Sequence, residues 1–409
     1  LFRRGLVIEK SRPAEVAETS GADIELTKSV YIGFVDYDTA MDCGRALRQN
    51  ETDIRSDVGS LPRILNSGFL AAIQELPAAT EADLPKEPDV SVDPAAFAKS
   101  IEFTCSGYTG STTLSDFPVA IRLAADSPAG FSYADMKNSA KGDELRFADA
   151  SGRSLSYEIE AWNPNGASLV WVKLPSLTKT TRFKMYYGGS DGNTVESKWT
   201  WKADYVGVWH MGEASGTVGD SSGNGLVAEP FCRDSSCQVA GDGEFGQARV
   251  NSTPGINTYS GQSLLKVEDS TLLDLGDDFT FSGWINMTGT PKGDVGRIAS
   301  RNYYISGGNY APDWELMVSD YTTLKVFAGS ATPVTGTIPS AQDTWVHIAG
   351  VFNGTSIKVY ANGTKVIDET ITPVRDSNNK MTFGSNDKAC SMGHFVGLFD
   401  EFRLRDAVS

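Results

Sequence analysis

Histidine is nearly missing from this chain: 409 residues hold three, His210, His347 and His394. A Ser-His-Asp or Cys-His centre needs a nucleophile beside an oriented base, so little of that chemistry can be built here, and no G-x-S-x-G elbow is present. Basic residues are also scarce, 36 Lys and Arg against 52 Asp and Glu, a formal net charge of −16. Nucleic-acid phosphates call for a basic surface and anionic membranes for a polybasic segment; neither partner fits this balance. No apolar run approaches bilayer-spanning length. Methionine does not open the chain, which begins Leu1-Phe2-Arg3-Arg4, shows no signal peptide and stops at Ser409 directly after a strand-like pattern. That reads as a processed or trimmed fragment whose targeting or membrane-anchoring segments lie outside it. Cysteine comes to five: Cys43, Cys105, Cys232, Cys237 and Cys390. Cys232 and Cys237 bracket a polar Arg-Asp-Ser-Ser loop, read either as a small disulfide loop of an oxidising compartment or as two reduced thiols, with the disulfide expected. An odd count leaves at least one thiol unpaired within the chain. With no second close Cys pair and scattered histidines, these thiols are not expected to hold a metal.

What the chain has is turns. Glycine reaches 41 residues, and Asn-Gly, Gly-Gly and Ser-Gly pairs recur as in turn-rich β proteins. The plainest stretch is Trp345 to Asp368, WVHIAGVFNGTSIKVYANGTKVID. It predicts three antiparallel strands joined at Asn353-Gly354 and Asn362-Gly363, since both residue types tolerate the positive φ of a tight hairpin turn. Val346, Ile348 and Phe352 point one way and Ala349 and Val351 the other. Ile357, Val359 and Ala361 then alternate with Lys358 and Tyr360, the period of a sheet with one buried face.

At 409 residues the chain exceeds one ordinary core, and two or three domains are expected. Residues 1–76 read as a small mixed α/β segment. Ser29–Val35 is a strand, a helix covers Thr39–Gln49, and another starts at the N-cap Ser60 with Pro62 in its first turn. Leu61, Ile64, Leu65, Phe69, Ala72, Ile73 and Leu76 form the apolar face of that second helix. Residues 77–95, with Pro77, Pro85, Pro88 and Pro94 among acidic and small residues, read as an extended linker. From residue 96 to 200 short strands follow: Ile101–Cys105, Phe117–Leu123, Glu144–Phe147, Ser156–Glu160, Ser168–Leu174 and Thr181–Tyr187. They predict a small antiparallel sandwich with Trp162, Trp171 and Tyr187 in its core or between its sheets.

Two segments resemble known families. FPVAIRL at Phe117–Leu123, DELRFAD at Asp143–Asp149, YEIEAW at Tyr157–Trp162, LVWVKLPSL at Leu169–Leu177 and KMYYGG at Lys184–Gly189 resemble a bacterial β-rich domain of unknown function. That domain commonly precedes a laminin-G-like domain. Residues 205–409 resemble a laminin-G-like, concanavalin-type jelly roll. The resemblance rests on VWHMGE from Val208, GDSSGNG from Gly219, GQA from Gly246, and LDLGDDFTFSGW at Leu273–Trp284. Trp345, His347, Ala349, Tyr360, Asn362 and Gly363 match the meander, and GLFDEFRL at Gly397–Leu404 the last strand. The Cys232–Cys237 loop departs from the family, which has a short connection there. The fold expected is therefore mainly β: two tandem antiparallel β-sandwiches, the C-terminal one a concanavalin-like jelly roll, after the mixed segment. The resemblance implies a structural calcium ion at the sandwich rim, with Asp220 and Asp400 as first candidates and Glu213 and Glu401 as weaker ones. The plainer reading gives Asp220 to an Asx turn and pairs Asp400 with Arg403 or Arg405.

Sugar recognition uses exposed aromatics with amide and charged partners, and Asn302, Tyr303, Tyr304 and Tyr310 form such a patch, with Trp314 more simply a core residue. No catalytic residue is assigned. Concanavalin-type folds include glycoside hydrolases, but Glu158-Ile159-Glu160 lacks the third acid of their catalytic strand and belongs to the other domain. Asn-X-Ser/Thr triplets at Asn353 and Asn362 coincide with the hairpin turns, which explain them without glycosylation. The expectation is a bacterial binding or adhesion protein without catalytic activity, secreted, periplasmic or on the cell surface, whose partner is a glycan or other cell-surface ligand. The alternatives are a structural or sensing ectodomain of a membrane-anchored assembly, such as a proton-channel transport protein, and a polysaccharide hydrolase.

Overall fold

A computed structural model describes residues 87–193, 197–201, 204–232, 239–252, 263–275, 278–291, 295–304, 310–328, 332–371, 380–385 and 393–406, with the backbone of two short strands nearer the start. The chain divides into two compact units, Leu1–Pro88 and Asp89–Ser409. In the first, Ile8–Glu9 pairs antiparallel with Ser29–Val30. The helices expected at Thr39–Gln49 and from Ser60 lie outside the described residues.

In the second unit the described strands all pair antiparallel. Its N-terminal sandwich stacks a four-stranded sheet, ordered Lys99–Thr104, Arg182–Tyr187, Arg146–Asp149, Ser154–Leu155, on a three-stranded one, ordered Leu114–Ala124, Ala167–Leu177, Tyr157–Ala161. Ile121, Leu123, Phe147, Val170, Val172 and Met185 fill the space between. Each strand contributes alternate residues to that core, so its other residues face outward. Tyr187 lies in this core and Trp162 packs against it, but Trp171 belongs to a separate cluster.

The C-terminal sandwich is larger. One sheet runs Ala240–Asp242, Gln247–Ser252, Gly397–Arg405, Asp278–Met287, Val346–Asn353, Ser356–Ala361, Thr364–Thr370, with Tyr205–Trp209 also paired to Gly397–Arg405. The facing sheet runs Ala228–Cys232, Ser263–Val267, Met381–Phe383, Gly296–Tyr304, Tyr310–Val318, Thr323–Ala328, Val334–Thr337. The meander forms as its alternation predicts: Val346, Ile348, Phe352, Ile357, Val359 and Ala361 all enter the core. Asn362 and Gly363 both take positive φ, 46° and 76°, the turn hand that matches strand twist.

The last strand carries a bulge. Its pairing with Asp278–Met287 shifts register between Ser282 and Trp284, opposite Asp400 and Arg403, and Glu401 has φ 53°. The extra residue lets Phe399 and Phe402 both reach the core while Asp400, Glu401 and Arg403 lie outside it. Asp400 and Glu401 are buried all the same and Arg403 is half-buried. The outer face of the three-stranded sheet docks at Arg403 and His210, and the loop at Phe245 covers Asp400. Trp171, Trp201, Tyr205 and Val208, with Phe245 packed against them, form the apolar part of this junction.

Candidate functional site

The period of two on Tyr157–Ala161 sets the site. Tyr157 and Ile159 face their own core, which turns Glu158 and Glu160 outward beside Trp171, the cross-strand partner of Glu158. From the other sandwich come His210, just past the strand Tyr205–Trp209, and Glu401 and Arg403 of the bulged strand. Trp171 Nε1 donates to Glu160 Oε2 at 2.6 Å, Trp201 Nε1 to Glu158 Oε2 at 2.6 Å and Ser221 Oγ to Glu158 Oε1 at 2.7 Å. His210 Nδ1 lies 2.8 Å from Glu401 Oε1 and 3.4 Å from Glu160 Oε2, and its Nε2 is 3.3 Å from Glu158 Oε2. Arg403 donates to Glu401 Oε2 at 2.7 Å, and its guanidinium lies over the rings of Trp171 and Trp201, 4.4 and 4.9 Å from their centroids.

Burial works against every charge here, and the partners decide which survive. His210 is held well above its ordinary value despite burial, by the Glu401 charge and by hydrogen bonds to Glu158 and Glu401. Burial and the Glu401 charge push Glu160 up, so it keeps its proton. Glu401, though buried, is held down by His210 and Arg403, and Glu158 is held down against its burial by its hydrogen bond to His210. Two cations thus face two carboxylates across the junction. Beside them, burial and then the Glu401 charge raise Asp400 to about 8.

At its margin the junction opens into a groove of 660 Å³, within the range of about 300–1,000 Å³ typical of small-ligand sites. Phe117 to Ala120 and Trp171 line one side; Phe245, Trp284, Trp345, His347 and Asn362 line the other, with Glu401 and Arg403 between. Trp284 meets the His347 ring edge-on at 5.1 Å, and Asn362 Oδ1 accepts from His347 N at 2.9 Å. Burial, then the Arg403 charge, lowers His347 to about 4, so its imidazole is neutral at neutral pH, with a donor on one ring nitrogen and an acceptor on the other.

The residues expected from sequence fall elsewhere. Asp220 spends its carboxylate on the backbone, accepting from Val208 N, Ser222 N and Leu226 N at 3.0, 2.9 and 2.9 Å. It anchors its loop, and the Ser222 contact is the Asx turn of the plainer reading. Asp400 accepts from Phe245 N at 2.8 Å through Oδ2, while Oδ1 is buried with no hydrogen-bond partner among the described residues. The partners suggested for Asp400 go to others: Arg403 pairs with Glu401 and Arg405 with Asp204. Glu213 accepts from Gly219 N at 2.7 Å; its Oε2 is buried without a hydrogen-bond partner among the described residues, 3.7 Å from Arg249 Nη2. A Cβ on Gly243 would stand 2.8 Å from Asp400 Oδ2 and 3.1 Å from the Gln247 carbonyl, so a carboxylate and a carbonyl share that space. These are hard oxygens of the kind calcium takes, two of the about six to eight it needs. Among the described residues, the His and acidic side chains that converge within 4.8 Å are Glu160, His210 and Glu401. Both ring nitrogens of His210 and both oxygens of Glu401 are already hydrogen-bonded, so that trio is a closed ion-pair network.

Asn302, Tyr303, Tyr304 and Tyr310 sit at the ends of the paired strands Gly296–Tyr304 and Tyr310–Val318; their side chains lie outside the described residues, as do those of Cys232 and Cys237. Trp314 is in the core. Sequence reasoning missed Glu158, Glu160, Trp171, His210 and Arg403 as one cluster. The signal was there in Leu169–Leu177, where a tryptophan interrupts β-branched core residues at an outward position, a mark of a covered face.

Residues 259–408 match the family model described as the concanavalin A-like lectin/glucanases superfamily, and residues 141–200 match Domain of unknown function (DUF2341). No curated protein matches the chain. Among solved structures, domain 4 of AbnA, an extracellular arabinanase from Geobacillus stearothermophilus in complex with arabinotriose, is 21% identical over 51% of this chain and 95% of that one, with a TM-score of 0.34. The binding domain of Paraclostridial Mosquitocidal Protein 1 is 16% identical over 50% and 49%, with a TM-score of 0.37. A Trypanosoma rangeli sialidase is 13% identical over 63% and 41%, with a TM-score of 0.39. The chain therefore spans less than half the length of the last two, and likenesses this slight say nothing of ligand.

Proposed function

We propose that the paired sandwiches bind glycan in the groove and do not cleave it. The observation that carries this reading is the groove's lining: tryptophan and phenylalanine rings for the apolar faces of sugars, beside the neutral His347 and the Asn362 turn for hydroxyls. Binding without cleavage is supported by the state of the acids. A glycosidase needs two carboxylates about 5–9 Å apart with free oxygens facing the bond. Glu160 and Glu401 stand within 4.8 Å, and Glu401 gives one oxygen to His210 and the other to Arg403. A structural calcium ion at Asp400 belongs to the same reading. So does a setting outside the cytoplasm, secreted, periplasmic or on the cell surface, where polysaccharide is met. No helix among the described residues is long and apolar enough to cross a membrane.

The test is a glycan array followed by calorimetric titration of the hits, with Trp345→Ala as the variant. The expected result is a saccharide ligand whose affinity falls about tenfold or more on losing the ring. An unaltered chain that retains no saccharide, or one that hydrolyses the saccharide it binds, would refute it.

A further inference from the structure

We infer that the N-terminal sandwich is half of the binding site: Leu114–Ala124 and Trp171 form one wall of the groove, and the ligand held between the two domains is an uncharged saccharide chain. This rests on the glycan reading and gives residues 89–200 a ligand-binding role.

The strand Leu114–Ala124 sends Ile121 and Leu123 into its own core, which leaves Pro118 and Ala120 on the outer face. Phe117 stands at the same margin and is 39% exposed, one of four large hydrophobic side chains so exposed among the described residues. Phe117, Pro118 and Ala120 line the groove together with Trp284 and Trp345 of the other sandwich. Phe117 pairs with the core residue Leu174, so its ring stands at the strand's exposed margin and not on the outer face itself. With the two tryptophans it adds apolar ring surface to one open space, suited to a partly apolar ligand. The walls also have a set separation, because Glu158 and Glu160 reach across to His210, and Arg403 lies against Trp171 from the other side. A groove already formed loses less ordering entropy when it binds.

Charge narrows the ligand. The ionised groups lining the groove are Glu401 and Arg403, and they neutralise each other at 2.7 Å. An acidic sugar would have to displace Glu401 from Arg403, in a chain of net charge −16. An uncharged chain needs no such exchange.

The experiment titrates the full chain with neutral gluco-, xylo-, arabino- and galacto-oligosaccharides and with oligogalacturonate and oligoglucuronate. Three variants accompany it: Phe117→Ala, Trp345→Ala, and Phe231→Ala as a control. Phe231 is 43% exposed and lies outside the groove, in the facing sheet. Circular dichroism confirms that each variant is folded. We expect neutral chains to bind at least about tenfold more tightly than uronates, Phe117→Ala to weaken them about tenfold, and Phe231→Ala to leave them unchanged. If Trp345→Ala abolishes binding while Phe117→Ala leaves it intact, or if uronates bind as well as neutral chains, this inference falls and the glycan reading stands. If no saccharide binds the unaltered chain, both fall.

Discussion

His210 and His347 stand near the same groove in opposite protonation states, and their neighbours account for the difference. Two carboxylates, Glu401 and Glu158, hold the proton of His210, with the protonated Glu160 beside them. At His347 burial and then the Arg403 charge act against the proton, while Trp284 meets its ring and Asn362 takes its backbone N–H. A base whose proton is disfavoured in the fold binds more protons when unfolded. The stability due to the neutral ring is therefore complete above pH 6.5 and drains away as pH falls toward about 4. The span corresponds to at most about 3 kcal/mol. Urea unfolding of the unaltered chain and of His347→Gln at pH 7 and pH 4.5 isolates this contribution. The variant is expected to lose less stability on acidification than the unaltered chain, by about 1–3 kcal/mol. Equal losses in the two proteins would remove His347 from the account.

At the scale of elements, what was legible in sequence is what short-range chemistry dictates. The meander from Trp345 needs only alternation and two tight turns. Asn362-Gly363 turns as expected, while the first turn closes one residue later than read, at Gly354-Thr355, because Asn353 pairs with Ser356. The six strands expected between residues 96 and 200 form with ends shifted by a few residues. The bulge at Glu401 carries no such local mark. Its positive φ falls on a glutamate, and its reason is the pair Phe399 and Phe402, three apart, that both belong in the core. The same shift brings Asp400 outward beneath the hairpin of Ala240–Asp242 and Gln247–Ser252, where Phe245 N and the Gln247 carbonyl approach it. Calcium there would tie that hairpin to the last strand, and an ion that binds only the folded chain stabilises it by about 2.7 kcal/mol at a hundredfold excess over Kd. Thermal melting should therefore rise with added calcium and fall back with chelator, and Asp400→Asn should abolish the response while Asp220→Asn, whose carboxylate holds a loop, lowers the melt in both conditions. A melt indifferent to calcium in the unaltered chain would dismiss the ion.

At the scale of the whole molecule, two sandwiches with separate cores meet through a mixed junction. Sequence could assign the strand Tyr157–Ala161 to its own sandwich, but the partner of its outer face is some fifty residues away at His210 and more than two hundred away at Glu401 and Arg403. No periodicity reports a contact of that span. The junction's central side chain is Trp171. It is 4% exposed, donates to Glu160, packs on Trp201 and Phe245, and carries Arg403 on its face. Replacing such a side chain with alanine costs about 3–5 kcal/mol, and here the loss also strands a buried carboxyl and a guanidinium. The cost falls on the junction and spares both cores, since Trp171 belongs to neither. The unaltered pair should melt as one cooperative transition in scanning calorimetry, because each sandwich covers the other's buried charges. Trp171→Ala should split it into two, one for each core, with glycan affinity lost at temperatures where both cores remain folded. A variant that still melts in one step, with its groove still binding, would mean that the two sandwiches are joined by something other than this junction.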